Sequence, residues 1–217
     1  MFFYLGNTKY CIMRQVEASF LQRHPVIKDV IGVIIFITCV VLGTIFINTF
    51  VFRSYNVVGP SMEPTLHTSD RLIVSRLPAT WAQIQNKDYI PKRGQIIVFK
   101  NPRYNLGTGD EYIVKRVIAF PGERVTVEEG RLVVYNSEHP DGFHPDDDNH
   151  GEPGDFTSGE SDLVVPDGEL FVAGDHREGT FSYDSRNGEQ GLGTIPFYDV
   201  IGPVKMRLFP IQKIRFF

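Results

Sequence analysis

Tyr112-Ile113-Val114-Lys115-Arg116-Val117-Ile118-Ala119-Phe120 is a run of β-branched and aromatic side chains closed by Pro121-Gly122. Such a run, bounded by turn residues, predicts a buried strand. The same reading extends outward to 71–75, 95–99, 124–127, 131–135, 169–173 and 200–207, all short, rich in Val and Ile and bounded by Gly, Pro or Asp. Val125-Thr126-Val127 and Leu132-Val133-Val134 flank Glu128-Glu129-Gly130, which predicts a hairpin with Gly at its turn. After residue 53 no amphipathic helix is expected beyond a turn near 81–85. The fold class is therefore mostly β, an all-β domain of coiled, partly barrel-like antiparallel sheets.

Ahead of those strands lies a stretch of a different kind. Residues 30–52 carry no charge, and Asn48 is their only strongly polar side chain. As a helix they would reach about 34 Å, against a hydrocarbon core of about 30 Å. This predicts a single transmembrane helix. Lys9, Arg14, Arg23 and Lys28 precede it, and only Arg53 follows closely. The positive-inside bias then divides the chain into a cytoplasmic segment 1–29, a span 30–52 and an extracytoplasmic domain 53–217. The apolar opening, 1–12, leaves Met1 and Met13 as alternative starts.

The 217 residues carry a formal net charge of −4. Residues 136–162 hold nine acids and no Lys or Arg, so −4 overall and −9 there leave +5 for the rest. The mildly basic body suits an anionic bilayer, and no basic run is dense enough for nucleic acid. The segment 136–162 is rich in Gly, Pro, Asp and His, which predicts a flexible acidic insert on the surface, pointing away from the membrane and from the cut site. The cysteines, Cys11 and Cys39, both precede the domain, which therefore has no disulfide and no thiol nucleophile.

Val58-Gly59-Pro60-Ser61-Met62-Glu63-Pro64-Thr65-Leu66 follows the span by six residues. A serine held between two proline turns beside a membrane anchor is a candidate nucleophile, and a serine hydroxyl needs a base within hydrogen-bond reach. The six histidines offer no arrangement like a Ser-His-Asp triad. Lys115 is the alternative. It adjoins Arg116 on the strand, so the two point to opposite faces, one inward and one to solvent. A desolvated lysine loses basicity and can serve as a base near neutral pH. A lysine whose stem lies over the sheet with its ammonium in water fits the same sequence.

Four segments in order resemble the sequence boxes of type I signal peptidase: Gly59–Leu66, 94–99, Tyr112-Ile113-Val114-Lys115-Arg116-Val117-Ile118-Ala119-Phe120-Pro121-Gly122-Glu123, and Gly174-Asp175-His176-Arg177 with Ser182-Tyr183-Asp184-Ser185-Arg186. That family comprises membrane-bound serine endopeptidases with a Ser–Lys dyad, needing no metal or cofactor. The resemblance implies Ser61 as nucleophile and Lys115 as general base. It implies that Ser182 hydrogen-bonds and orients the lysine and supports the dyad. It further implies an ion pair of Asp184 and Arg186 beneath the site, and Met62, Tyr112 and Ile113 along the substrate strand and its small-residue pockets. Gly59 stands where the family often has a serine that helps bind the oxyanion, leaving the Ser61 N–H for that task. Secreted pre-proteins and the lipid bilayer are the implied partners. The sequence does not fix the oligomeric state.

Two other classes compete. A self-cleaving regulator with the same dyad would be soluble and carry a DNA-binding domain, which the span and the N-terminal sequence disfavour. A non-catalytic membrane-anchored β-module could bind partners or calcium through Asp146-Asp147-Asp148, although those acids lack the spacing of a calcium loop.

Overall fold

The computed structural model describes residues 25–104, 109–147, 153, 156–179 and 182–217. The cations before Lys28, together with Cys11, Met13, His24, Asp148, His150, Glu152 and Asp155, lie outside the described residues. Contacts divide the chain into two units, Met1–Ile45 and Phe46–Phe217.

Helix α1, Pro25–Phe46, starts at a proline, whose missing N–H costs nothing at a helix N-terminus. Its backbone continues as a π-helical turn, Ile47–Val51, and the first strand begins at Phe52. Within the stretch Val26–Val51, 18 consecutive residues have a mean hydropathy of 3.0 and none of these is buried, so by length and composition it can cross a membrane. The helical stretch and the charge-free run 30–52 overlap without coinciding. Lys28 and Asp29 are helical, and Phe52 belongs to the strand.

The second unit contains one large antiparallel sheet. Its strands are β1 (Phe52–Asn56), β2 (Arg71–Ser75), β3 (Ile96–Lys100), β4 (Tyr112–Ala119), β8 (Glu169–Ala173), β9 (Ile195–Pro196), β10 (Val200–Phe209) and β11 (Arg215–Phe216). The order is β1-β2-β10-β3-β4-β8-β9, with β11 on β10. A smaller sheet, β6-β5-β7, consists of β5 (Arg124–Glu128), β6 (Arg131–Tyr135) and β7 (Asp162–Val164). β5 and β6 form the expected hairpin, with Glu129 and Gly130 at positive φ in its turn.

The large sheet curls because β10 serves two partners. Its first residues, Val200 to Pro203, pair with β3, and Val204 to Phe209 pair with β2, with register shifts in both ladders. Gly202 makes the bend possible: its φ is +154°, and a Cβ there would stand 2.0 Å from the Ser75 carbonyl oxygen. The curl covers both faces of the central strands. Ile97 and Phe99 of β3 join a core with Val117, Leu170, Val172 and Ile195, while Ile96 and Val98 join another with Met62, Leu66, Leu72 and Val74. A third core beneath the small sheet holds Ile118, Val125, Leu132, Val134 and Phe171.

Two features depart from expectation. Leu77–Ile84 forms a helix, α2, where at most a turn was expected. Pro78 lies in its first turn, and Leu77, Trp81 and Ile84 make an exposed apolar stripe. Of its residues only Ala79 is buried, so the usual inward apolar face gave little signal.

The acidic insert also differs from a free excursion at its described residues. Phe143 pairs with Val134, Thr157 N–H donates to the Gly130 carbonyl at 2.6 Å, and Asn136 Nδ2 donates to Glu123 at 2.8 Å. The insert ends as β7, an edge strand on β5. Its acids meet cations of the body: Asp146 with Arg177, Asp147 with Arg131 and Asp162 with Arg124. The basic excess of the body draws the insert in.

Candidate active site

Ser61 lies in the turn-rich connection from β1 to β2, and Lys115 in the middle of β4, yet Lys115 Nζ is 2.6 Å from Ser61 Oγ. The loop bearing Ser61 is held by residues from much later in the chain. His176 N–H donates to the Ser61 carbonyl at 3.1 Å, and the Thr65 hydroxyl donates to Asp175 at 2.5 Å. Gly174 closes the arrangement, because a Cβ there would lie 2.1 Å from Ser182 Oγ and 2.3 Å from the Ser61 carbonyl oxygen. Glycine is required by close approach rather than by its backbone angles.

Lys115 is 2 % exposed. Burial pushes its ammonium down to about 8; Asp184 and Asp175 act upward against burial, and Arg186 adds to the lowering. Its only hydrogen-bond partner among the described residues is Ser61. An amine that is neutral at mildly alkaline pH and lies 2.6 Å from a hydroxyl can take its proton.

Arg116 corrects an expectation. Alternation along β4 suggested one cation inside and one in water, but Arg116 is 6 % exposed. Both faces of this part of β4 are covered, and the second charge is neutralised where it lies. Arg116 Nε and Nη2 hold the two oxygens of Asp175 at 2.7 and 2.5 Å, and Nη1 donates to the Gly94 carbonyl at 2.8 Å.

Asp184 and Arg186 form the expected ion pair. Arg186 Nε and Nη2 donate to Asp184 at 3.0 and 2.9 Å. Burial pushes the Asp184 carboxyl up, but Arg186, Ser182 and the Gly174 N–H outweigh it and hold the group below its ordinary range. The Ser182 hydroxyl donates to Asp184 at 2.5 Å, a charge-assisted bond to a buried carboxylate.

Tyr112 and Ile113 line a cleft of about 270 Å³ with Ser61, Lys115, Val57, Gly59 and Tyr183. Met62 does not line it. The side chain is fully buried among Leu66, Leu72 and Val74, so its place is in the core. Gly59, at φ +87°, has open space around it, and Pro60 has no N–H to offer. Among the described residues no group of three or more His, Cys, Asp or Glu is disposed to hold a metal ion.

Sequence reasoning missed the Arg116–Asp175–Thr65 cluster and Arg177, although the signal was present. Two adjacent cations in a buried strand demand a carboxylate for at least one of them, and Asp175 in Gly174-Asp175-His176-Arg177 was the available acid.

Residues 27–209 match the family model described as signal peptidase, peptidase S26. The chain belongs to that family. This signal peptidase is therefore a serine protease. Among its relatives, the signal peptidase I of Bacillus amyloliquefaciens is 33 % identical over 183 residues, covering 82 % of this chain and 87 % of that protein. The signal peptidase I of Bacillus licheniformis is 30 % identical over 205 residues, 92 % of this chain and 97 % of the other. Signal peptidase I T of Bacillus subtilis (strain 168) is 32 % identical over 185 residues, 82 % and 85 % of the two chains.

Proposed function

We propose that this signal peptidase removes N-terminal signal peptides from exported pre-proteins after small residues, with Ser61 as nucleophile and Lys115 as general base. The observation that carries the reading is the 2.6 Å contact between Ser61 Oγ and a lysine whose burial lowers it to about 8.

The substrate binds as an extended strand along Tyr112–Lys115. Support comes from the pairing of β4: β3 covers one edge from Tyr112 to Arg116, whereas β8 joins the other edge only from Arg116 onward. The remaining edge borders the Ser61 cleft and offers backbone groups for strand addition. The modest cleft volume suits small side chains before the cut.

Neutral Lys115 accepts the Ser61 proton as Oγ attacks the scissile carbonyl carbon. The Ser61 N–H, which has no intramolecular acceptor among the described residues, stabilises the resulting oxyanion. The Lys115 ammonium then protonates the leaving amine as the C–N bond breaks, leaving an ester on Ser61. Lys115, neutral again, takes a proton from water as the water oxygen attacks the ester carbon; the bond from that carbon to Ser61 Oγ then breaks, Oγ recovers the proton from Lys115, and the signal peptide leaves with a new C-terminal carboxyl group.

The apolar stretch Val26–Val51 anchors the enzyme with residues 1–29 in the cytoplasm and the domain from about 53 to 217 on the outer face. A substrate whose apolar segment shares the bilayer is thereby concentrated and cut at a fixed depth. The test is incubation of detergent-solubilised protein with a pre-protein and sequencing of the new N-terminus. A cut after a small residue at the signal-peptide boundary, absent with Ser61→Ala, is the expected result. A cut elsewhere, or one that survives Ser61→Ala, overturns the reading.

A further inference from the structure

Arg177 is buried beneath the candidate site and faces a carboxylate from the acidic insert. Its side chain is 1 % exposed, that of Asp146 19 %. Nη1 and Nη2 donate to the two Asp146 oxygens at 2.7 and 2.9 Å, a bidentate pair of fixed geometry. The third nitrogen, Nε, donates to the Gly174 carbonyl at 2.6 Å. Gly174 is the residue with no room for a Cβ between Ser182 Oγ and the Ser61 carbonyl.

The backbone of Arg177 leads to the other half of the site. Its carbonyl accepts Arg186 Nη1 at 2.8 Å, and the Ser158 carbonyl, also from the insert, accepts the same nitrogen at 3.2 Å. Ser158 N–H in turn donates to the Arg177 carbonyl at 3.0 Å. Arg186 holds Asp184, which holds Ser182 and the Gly174 N–H.

We propose that Asp146 of the acidic insert is a positioning residue for the Ser61–Lys115 pair, acting through Arg177 on Gly174 and on the Asp184–Arg186 ion pair. This rests on the dyad reading above. The insert is in this view a structural half of the site.

The electrostatic consequence has a definite sign. The charged groups acting on Lys115 are Asp184 and Asp175, which favour its ammonium, and Arg186, which opposes it; Ser61 Oγ is its hydrogen-bond partner, and Asp110, Tyr112 and Tyr183 lie further along the cleft. Loss of Asp146 frees the Arg177 guanidinium and loosens the carbonyl that holds Arg186. Asp184 is then less compensated, and Lys115 becomes more basic.

The test measures kcat and KM on one pre-protein from pH 6 to 10 with the full-length, detergent-solubilised enzyme. For Asp146→Asn, kcat should fall about tenfold with KM within about twofold, since a displaced catalytic group costs turnover first. The acidic limb of the pH profile should move up by about half to one unit. Asp146→Glu, which keeps the charge, should return the limb to within about 0.2 units of the parent. The double variant Asp146→Asn/Arg177→Gln leaves no orphaned charge, so it folds even if the single variant does not, and it should show the same alkaline displacement. A parental pH profile in the folded double variant overturns the proposal, as does a loss of rate carried by KM alone. Ser61→Ala and Lys115→Met run alongside as inactive controls: turnover in either defeats the dyad reading itself, while inactive controls with a parental Asp146 series defeat only the positioning role.

Discussion

Lys115 and Arg116 are consecutive residues of one strand, both buried, and the structure treats their charges in opposite ways. On one face Arg116 meets Asp175 through two hydrogen bonds and gives its third group to a backbone carbonyl. On the other, the Lys115 ammonium has, among the described residues, a neutral hydroxyl as its hydrogen-bond partner. A compensated buried cation is a brace, whereas an uncompensated one must surrender its proton at a lower pH. In the proposed Ser61–Lys115 mechanism, the difference between scaffold and reactive group lies in which cation was given a carboxylate.

The sharpest way to break this contrast is to remove the reactive member. Lys115→Met and Ser61→Ala should each lower kcat/KM by about 10⁴-fold or more, measured by pre-protein cleavage with circular dichroism as the check on folding. Turnover within tenfold of the parent would mean that the face of β4 bearing Lys115 is not the reactive one.

Removing the counterion on the opposite face should act on stability. Asp175→Asn leaves the Arg116 guanidinium buried without its partner, and breaking such a pair costs about 3–5 kcal/mol. Denaturant unfolding of the external domain should show this as a lowered midpoint with an unchanged slope. A variant of parental stability would show that the Arg116–Asp175 pair is no brace.

The pH profile sharpens the contrast further. With Lys115 lowered to about 8, kcat/KM should rise about tenfold per pH unit below that value and flatten above it. Only the neutral amine can accept the Ser61 proton. A profile centred near 6.5 would point to a histidine instead.

The smallest effect is the most diagnostic of desolvation. The folded enzyme gives up the Lys115 proton near 8, the unfolded chain near its ordinary value of 10.5. Below about 8 the folded state therefore carries a buried charge that the unfolded state solvates freely. Lys115→Met should raise Tm by a few degrees at pH 7, and the gain should shrink between about 8 and 10.5 as both states lose the proton. A destabilised variant would mean that the ammonium is better solvated than its burial implies.

The sequence made the strands legible because each pairs β-branched residues with turn residues at its ends; the seven expected strands all occur within a residue or two of their limits. Short edge strands such as β9 and β11, two residues each, leave no pattern to read. The partners of buried charges were harder. One of Lys115 and Arg116 was expected in water because alternation assumes one wet face, and the curled sheet has none at that point. The bond from Ser182 to Asp184 was not legible either, because a box of residues does not say which neighbour a hydroxyl donates to. The docking of the insert was hidden for a similar reason. Its composition is that of a solvated loop, and only the cations on the body, distant in sequence, explain why its acids dock.

The nucleophile loop has a further property, one of timing. Thr65 is joined to Asp175, 110 residues later, and its carbonyl is held by Arg207, 142 residues later, which also binds Asp70. A nascent chain exposes Ser61 early and Lys115 soon after, but of the struts that hold the Ser61 loop Asp175 comes only after β8 and Arg207 only with β10. If the two residues act as proposed, the chain carries them during its own synthesis before the frame that fixes their separation exists.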